Sequence, residues 1–176
     1  MEEKLLARAR RIRLAVFDVD GVLTDGGLLL GPGGAEFKTF HVHDGLGLVM
    51  LKEAGMAVAV ISSRSSEVVA ERMAALGIEY VYQGRHDKRG TLSGLMEQLK
   101  VTPEETAYVG DDLVDLGAMD LAGLSVAVAD AHEVVRRRAH WVTHRVGGRG
   151  AVREVCEMLL EARGQLEAAL KRYLPA

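Results

Sequence analysis

Short apolar, β-branched runs alternate with longer segments of helical period along most of the chain, and that alternation narrows the fold more than any other feature. The strand candidates are Arg13–Phe17, Ala57–Ile61, Tyr80–Tyr82, Ala107–Val109 and Leu124–Val128. The helical segments are Gly45–Ala54, Ser66–Leu76, Lys88–Leu99, Leu113–Ala118, Ala131–Arg138 and Ala151–Arg163. Strands separated by helices form a mostly parallel sheet covered on both faces, so the expected fold class is a doubly wound α/β domain. Right-handed crossovers bring every strand's carboxyl end to one edge, where the ligand crevice of such sheets lies. Polar residues just after a strand are therefore site candidates by position. A chain of 176 residues, 48% of them hydrophobic, is expected to make one domain over 1–176 with a sizeable core.

One segment breaks the rhythm. Gly26–Phe40 reads as two extended runs, Leu28–Leu30 and Ala35–Phe40, around the turn Gly31-Pro32-Gly33-Gly34. An isolated hairpin is marginal in water, and Leu28, Leu29, Leu30, Phe37 and Phe40 need cover. The hairpin either folds over its own domain or packs against hairpins of other copies; the exposed edge argues for the second.

The strand ends carry the chemistry. Leu14-Ala15-Val16-Phe17 runs into Asp18-Val19-Asp20-Gly21, two acids whose spacing sends both side chains to one face. Held together, they repel unless a cation or a proton intervenes. Tyr108-Val109-Gly110-Asp111-Asp112-Leu113-Val114-Asp115 repeats the arrangement, with Asp111 and Asp115 spaced for one helical face. Carboxylates from two neighbouring strand ends suit Mg²⁺, which takes oxygen ligands and bridges to phosphate. Asp20 and Asp112 also fit plain helix caps or turn formers. After the second strand, Ser62-Ser63-Arg64 offers a hydroxyl and backbone N–H groups at a helix start, which suits an anion or a simple cap. Lys88 opens the third helical segment, where a cation opposes the dipole and calls for a partner, a phosphate or water.

Several classes are excluded. A net charge of −3 and 5% aromatics argue against nucleic-acid partners. The longest apolar run, Met56–Ile61, is far short of a membrane span, and the charged start MEEKLLARARRIR lacks a signal peptide's apolar stretch, so a cytoplasmic location with no membrane partner is expected. One cysteine, Cys156, shares a helical stripe with Val152, Val155, Leu159 and Leu160 and reads as core. His41 and His43 lack a third ligand for zinc. Arg136-Arg137-Arg138 reads as a solvated helix end, and Trp141 as packing.

These residues resemble the haloacid dehalogenase superfamily of phosphohydrolases. The resemblance rests on Asp18-Val19-Asp20-Gly21-Val22-Leu23-Thr24-Asp25, then Ser62, Lys88 and Gly110-Asp111-Asp112-x-x-Asp115. Three further stretches, Phe40-His41-Val42-His43-Asp44-Gly45-x-Gly47, Leu124–Ala131 and Gly147-Gly148-Arg149-Gly150-Ala151-Val152-Arg153-Glu154, look like its capless branch acting on 3-deoxy-D-manno-octulosonate 8-phosphate. The resemblance implies Mg²⁺ as cofactor, a sugar-acid phosphate as substrate and a homotetramer associated through the inserted hairpins. It implies Asp18 as nucleophile and Asp20 as acid/base, with Ser62 and Lys88 gripping the phosphoryl group. Asp18, the backbone carbonyl of Asp20 and Asp111 would hold the metal. Substrate contacts would fall on Asp20, on His41, Val42, His43, Asp44 and Gly45, and on Arg64, Arg72 and Lys88.

For its roles Asp20 needs neighbours that favour its protonated form. Arg72, on the apolar side of its helix, is expected to face an anionic partner, which a sugar carboxylate supplies. His43, Val49 and Ser63 depart from the branch's pattern and remove positive charge from the sugar side. Phosphatases of nonulosonate 9-phosphates share the core and are the alternative; a signalling receiver domain, with its phosphorylated aspartate after the third strand, fails because Gln83-Gly84 stands there. The tail Gly164–Ala176 matches the branch poorly.

Overall fold

The computed structural model describes residues 3–174; Met1, Glu2, Pro175 and Ala176, which the expected domain and tail include, lie outside the described residues. Six parallel strands form one sheet: β1 (Leu14–Phe17), β4 (Ala57–Ile61), β5 (Tyr80–Tyr82), β6 (Thr106–Gly110), β7 (Leu124–Ala127) and β8 (Trp141–Val142), in the order β5-β4-β1-β6-β7-β8. The two short strands β2 (Leu29–Leu30) and β3 (Glu36–Phe37) pair antiparallel in a separate hairpin. The expected doubly wound class is the observed one. The strand order reverses at β1, so the crevice belongs at the carboxyl end of β1, between β4 and β6.

The register supports this. Phe17 pairs with Val60 on one side and Val109 on the other, which aligns the ends of β1, β4 and β6. Every residue of β1 is buried, as are Val58–Ile61 and Thr106–Gly110, which is why these runs are uninterrupted in hydrophobicity rather than alternating. The helices are α1 (Glu3–Ala9), α2 (Val42–Glu53), α3 (Glu67–Ala75), α4 (Lys88–Leu99), α5 (Leu116–Leu121), α6 (Glu133–Arg138), α7 (Ala151–Ala162) and α8 (Leu166–Lys171). α2 packs along α7, and α4 against α5. α7 presents Val152, Val155, Cys156, Leu159 and Leu160 as its buried stripe.

Several boundaries differ from the sequence reading, for local reasons. α2 begins at Val42, not Gly45, because the His41 ring accepts the His43 N–H at 3.3 Å and caps the helix earlier. Leu113–Asp115 is a 3₁₀ turn before α5. α1, β8 and α8 were not expected: α1 and α8 are short and largely exposed, and β8 is two residues added at a sheet edge.

Only Leu29–Leu30 and Glu36–Phe37 of the longer hairpin runs pair, closed by a 2.7 Å bond from Gly31 N–H to the Ala35 carbonyl. Within one chain the hairpin stays uncovered: Leu28, Leu29, Leu30 and Phe37 are 48%, 66%, 67% and 58% exposed. Phe40 alone of the five packs on the core.

Candidate active site

Asp18 is the first residue past β1. Its N–H continues the ladder to the Val109 carbonyl at 3.0 Å, and its side chain is buried at the crevice. Lys88, also buried, places its ammonium 2.8 Å from Asp18 Oδ1 and 2.7 Å from Asp115 Oδ1. The partner that a lysine in a first helical turn calls for is thus a pair of carboxylates. Burial opposes its charge, but Asp18 and Asp115 outweigh that and hold Lys88 above its ordinary pKa.

Asp115 does not share a helical face with Asp111. The chain turns back on itself, and Asp115 Oδ2 accepts the N–H groups of Asp111 at 3.0 Å and Asp112 at 3.2 Å. Its Oδ1 also accepts the Tyr108 hydroxyl at 2.9 Å. All its acceptor positions are spent on shaping the loop and orienting Lys88. Gly110 is required here, since a Cβ on it would sit 2.6 Å from the Asp115 Cβ. Asp112 caps the turn by accepting the Leu113 N–H, as one of its two readings had it.

Asp111 is left facing Asp18. Its Oδ1 is buried without a hydrogen-bond partner among the described residues, and oxygens of Asp18, Asp111 and Asp115 lie within 4.8 Å of one another. Burial, then repulsion from Asp115, pushes the Asp18 pKa up to about 7 against the pull of Lys88. Burial, then repulsion from Asp18 and Asp115, pushes Asp111 to about 8. Such a cluster lacks a positive charge that Lys88 alone does not supply, and an orphaned carboxylate oxygen between two acids fits a hard divalent cation. Gly21 makes the approach of Asp111 possible: its φ is +95°, and a Cβ there would fall 2.1 Å from Asp111 Oδ2.

A cavity of about 290 Å³ is lined by Asp18, Asp20, Ser62, Arg64, Lys88 and Asp111, together with Gly26, Ser63, Asp112 and Val114. Ser62 is buried, and its Oγ accepts the Arg64 N–H at 3.1 Å. Asp20 meets two cations: the Lys38 ammonium contacts its Oδ1, and Arg64 Nε stands 3.8 Å from Oδ2. The hairpin and the loop after β4 thus each bring one positive charge to Asp20.

The remaining predicted contacts lie elsewhere. Asp44 is buried, its two oxygens accepting the N–H groups of Gly150 at 3.1 Å and Arg153 at 2.8 Å, so it caps α7. The Arg72 guanidinium lies over Gly45 and 6.0 Å from the Phe40 ring centre. Among the described residues no carboxylate pairs with it. His41, Asp44, Gly45 and Arg72 share a tight cleft with Phe40, and His43 borders a separate cavity of about 440 Å³ with Arg145 and Arg153. Val42 is exposed. The larger cavity contains none of the crowded strand-end acids, which is why the smaller one is the candidate active site. Sequence reasoning missed Lys38, Glu36 and the role of Asp115; Lys38 and Glu36 carried no strand-end signal.

Comparisons with known proteins give the family. A family model described as haloacid dehalogenase-like hydrolase matches residues 66–154. The 3-deoxy-D-manno-octulosonate 8-phosphate phosphatase of Salmonella typhi is 49% identical over 165 residues, 94% of this chain and 88% of that protein. The crystal structure of the Moraxella catarrhalis phosphatase of the same name, in complex with magnesium ion, phosphate ion and KDO, superposes with a TM-score of 0.96 at 40% identity, covering 99% of this chain and 100% of that one. A cobalt-bound form of the Haemophilus influenzae phosphatase gives 0.89 at 44% identity, covering 92% and 94%.

Proposed function

The chain belongs to the haloacid dehalogenase-like hydrolases, and from that premise we propose that it removes phosphate from 3-deoxy-D-manno-octulosonate 8-phosphate with Mg²⁺ as cofactor. The observation that carries this reading is the buried Asp18, held 2.8 Å from Lys88 and facing the unpartnered Asp111 Oδ1 in one cavity. Asp18 attacks phosphorus and becomes a phosphoaspartate, which splits one hydrolysis into two easier displacements. Lys88 and Ser62 hold the equatorial oxygens, so charge on the transferring group meets fixed positive and donor groups. Asp20 protonates the leaving alkoxide, then takes a proton from the water that attacks the phosphoaspartate. Asp18, the backbone carbonyl of Asp20 and Asp111 would hold Mg²⁺, which when bound neutralises the acid cluster and polarises the phosphoryl oxygens.

Sugar recognition is assigned to Asp20, Arg64 and Lys88 of one subunit and to the His41–Gly45 stretch and Arg72 of the assembly. We place the chain in a cytoplasmic homotetramer joined through the hairpins. The uncovered Leu29, Leu30 and Phe37 support this, as does Arg72 standing without an anionic partner among the described residues.

The test is kcat/KM with the octulosonate 8-phosphate, nonulosonate 9-phosphates and simple sugar phosphates, for the wild type and Asp18→Asn. The octulosonate ester is expected to lead, and Asp18→Asn to lose at least ~10³-fold on every substrate. A nonulosonate ester in the lead would replace the substrate assignment, and an active Asp18→Asn would remove the nucleophile.

A further inference from the structure

Each aspartate of the β1 pair has a lysine of its own. Asp18 has Lys88; Asp20 has Lys38, which comes from the hairpin just past β3. The Lys38 side chain exposes no surface, its ammonium contacts Asp20 Oδ1, and it stands 3.5 Å from Glu36 Oε1. Arg64 closes the ring from the β4 side, with Nη2 3.2 Å from Glu36 Oε1 and Nε 3.8 Å from Asp20 Oδ2. Two acids and two bases thus alternate in a ring of which Asp20 and Arg64 line the cavity, and the hairpin contributes the other two.

Asp20 needs that support more than Asp18 does. It lies three residues past the strand, in the turn that precedes Gly21, and its side chain is 20% exposed where that of Asp18 is 8%. A carboxylate that must hand a proton to one particular oxygen has to be held within hydrogen-bond reach and aimed at it. A long, flexible lysine stem with no exposed surface is an unusual way to present a charge, because its rotamer freedom is lost without the benefit of solvation. The cost makes sense where the ammonium fixes something.

We propose that Lys38 is a positioning residue for Asp20: it anchors Oδ1 and thereby leaves Oδ2 directed into the cavity toward the leaving-group oxygen. The inference rests on the acid/base role assigned above to Asp20. It gives the hairpin a part in the chemistry of its own subunit, apart from any contact between copies.

The experiment compares kcat/KM for an alkyl phosphate, the octulosonate 8-phosphate, with that for p-nitrophenyl phosphate, whose leaving group departs without a proton. This parameter covers only the steps through release of the alcohol, so the shared second displacement does not enter. Lys38→Met is expected to lower the alkyl value by about 30-fold and the aryl value by less than about threefold, a fraction of what a general acid contributes. Lys38→Arg, which keeps the charge, is expected to keep the alkyl-to-aryl ratio within about threefold of the wild type. Should Lys38→Met fail to fold, Lys38→Gln takes its place with the same split expected.

Equal falls on both substrates, or no fall on either, would overturn the inference, and so would a Lys38→Arg ratio as disturbed as that of Lys38→Met. Asp20→Asn separates the two levels. If it shows the leaving-group split and Lys38→Met does not, only the positioning role fails. If Asp20→Asn itself shows no split, the acid/base reading falls.

Discussion

Where β1, β4 and β6 end, Asp18, Lys88 and Asp115 are all buried and joined by bonds of 2.7–2.8 Å. On the other side of the site, Arg64 is exposed, His43 borders a different cavity, and Arg72 lies 6.0 Å from the Phe40 ring centre with no carboxylate partner among the described residues. The first region draws its order from three adjacent parallel strands whose register leaves their ends no freedom. The second is assembled from a helix N-terminus, a mid-helix arginine and a hairpin whose apolar residues face outward. On the roles proposed above, the contrast teaches that phosphoryl transfer would be built into the core of the fold, whereas recognition of the rest of the substrate would sit on the less buried parts.

The sharpest way to break this contrast is Asp115→Ala. Asp115 has spent its oxygens on Lys88, Tyr108 and two backbone N–H groups, so its loss strands a buried ammonium and opens the loop that carries Asp111. Removing one partner of a buried ion pair costs about 3–5 kcal/mol, and denaturant unfolding should show a loss of that size. Activity toward p-nitrophenyl phosphate should fall by ~10²-fold or more. A stable, active Asp115→Ala would mean that the core region is not held the way its geometry indicates.

A gentler change probes the outer region. The double substitution Leu29→Ser, Phe37→Ser removes exposed apolar surface and leaves the acid cluster intact. Sedimentation velocity should show smaller species. Turnover of p-nitrophenyl phosphate per chain should stay within about tenfold, with a larger fall for the octulosonate ester. Equal falls on both substrates would merge the two regions into one.

The same division explains what could be read from residues in a row. The parallel strands, the sheet edge that carries the site candidates and the clusters Asp18/Asp20 and Asp111/Asp112 were legible because buried strands and the acids after them leave a local signature. Lys88 was legible as a cation out of place, but its partners were not, since Asp18 and Asp115 reach it only through the fold. Helical spacing put Asp115 on one face with Asp111; the 3₁₀ turn, stabilised by its own side-chain acceptors, makes it a brace instead. Lys38 was invisible, because nothing local distinguishes it from any lysine after a short strand. Asp44 was named for its motif, and only the three-dimensional meeting of α2 with α7 shows it capping a helix.

The central claim is that Asp18 and Asp111 are crowded together for a cation, and thermal melting with and without Mg²⁺ between pH 5.5 and 8.5 tests it most directly. In the folded, metal-free protein these carboxyls hold protons up to about 7 and about 8, against an ordinary value of 3.8. The folded state then binds more protons than the unfolded chain across this window, so metal-free stability should decline as pH rises. Mg²⁺ at about 100 times its Kd should return roughly 2.7 kcal/mol at pH 8, a rise of about 5–10 °C for a chain of this size. Asp111→Asn should flatten the pH dependence and lose most of that rise. An unchanged melting temperature at pH 8 on adding Mg²⁺, or a full rise retained in Asp111→Asn, would contradict the account.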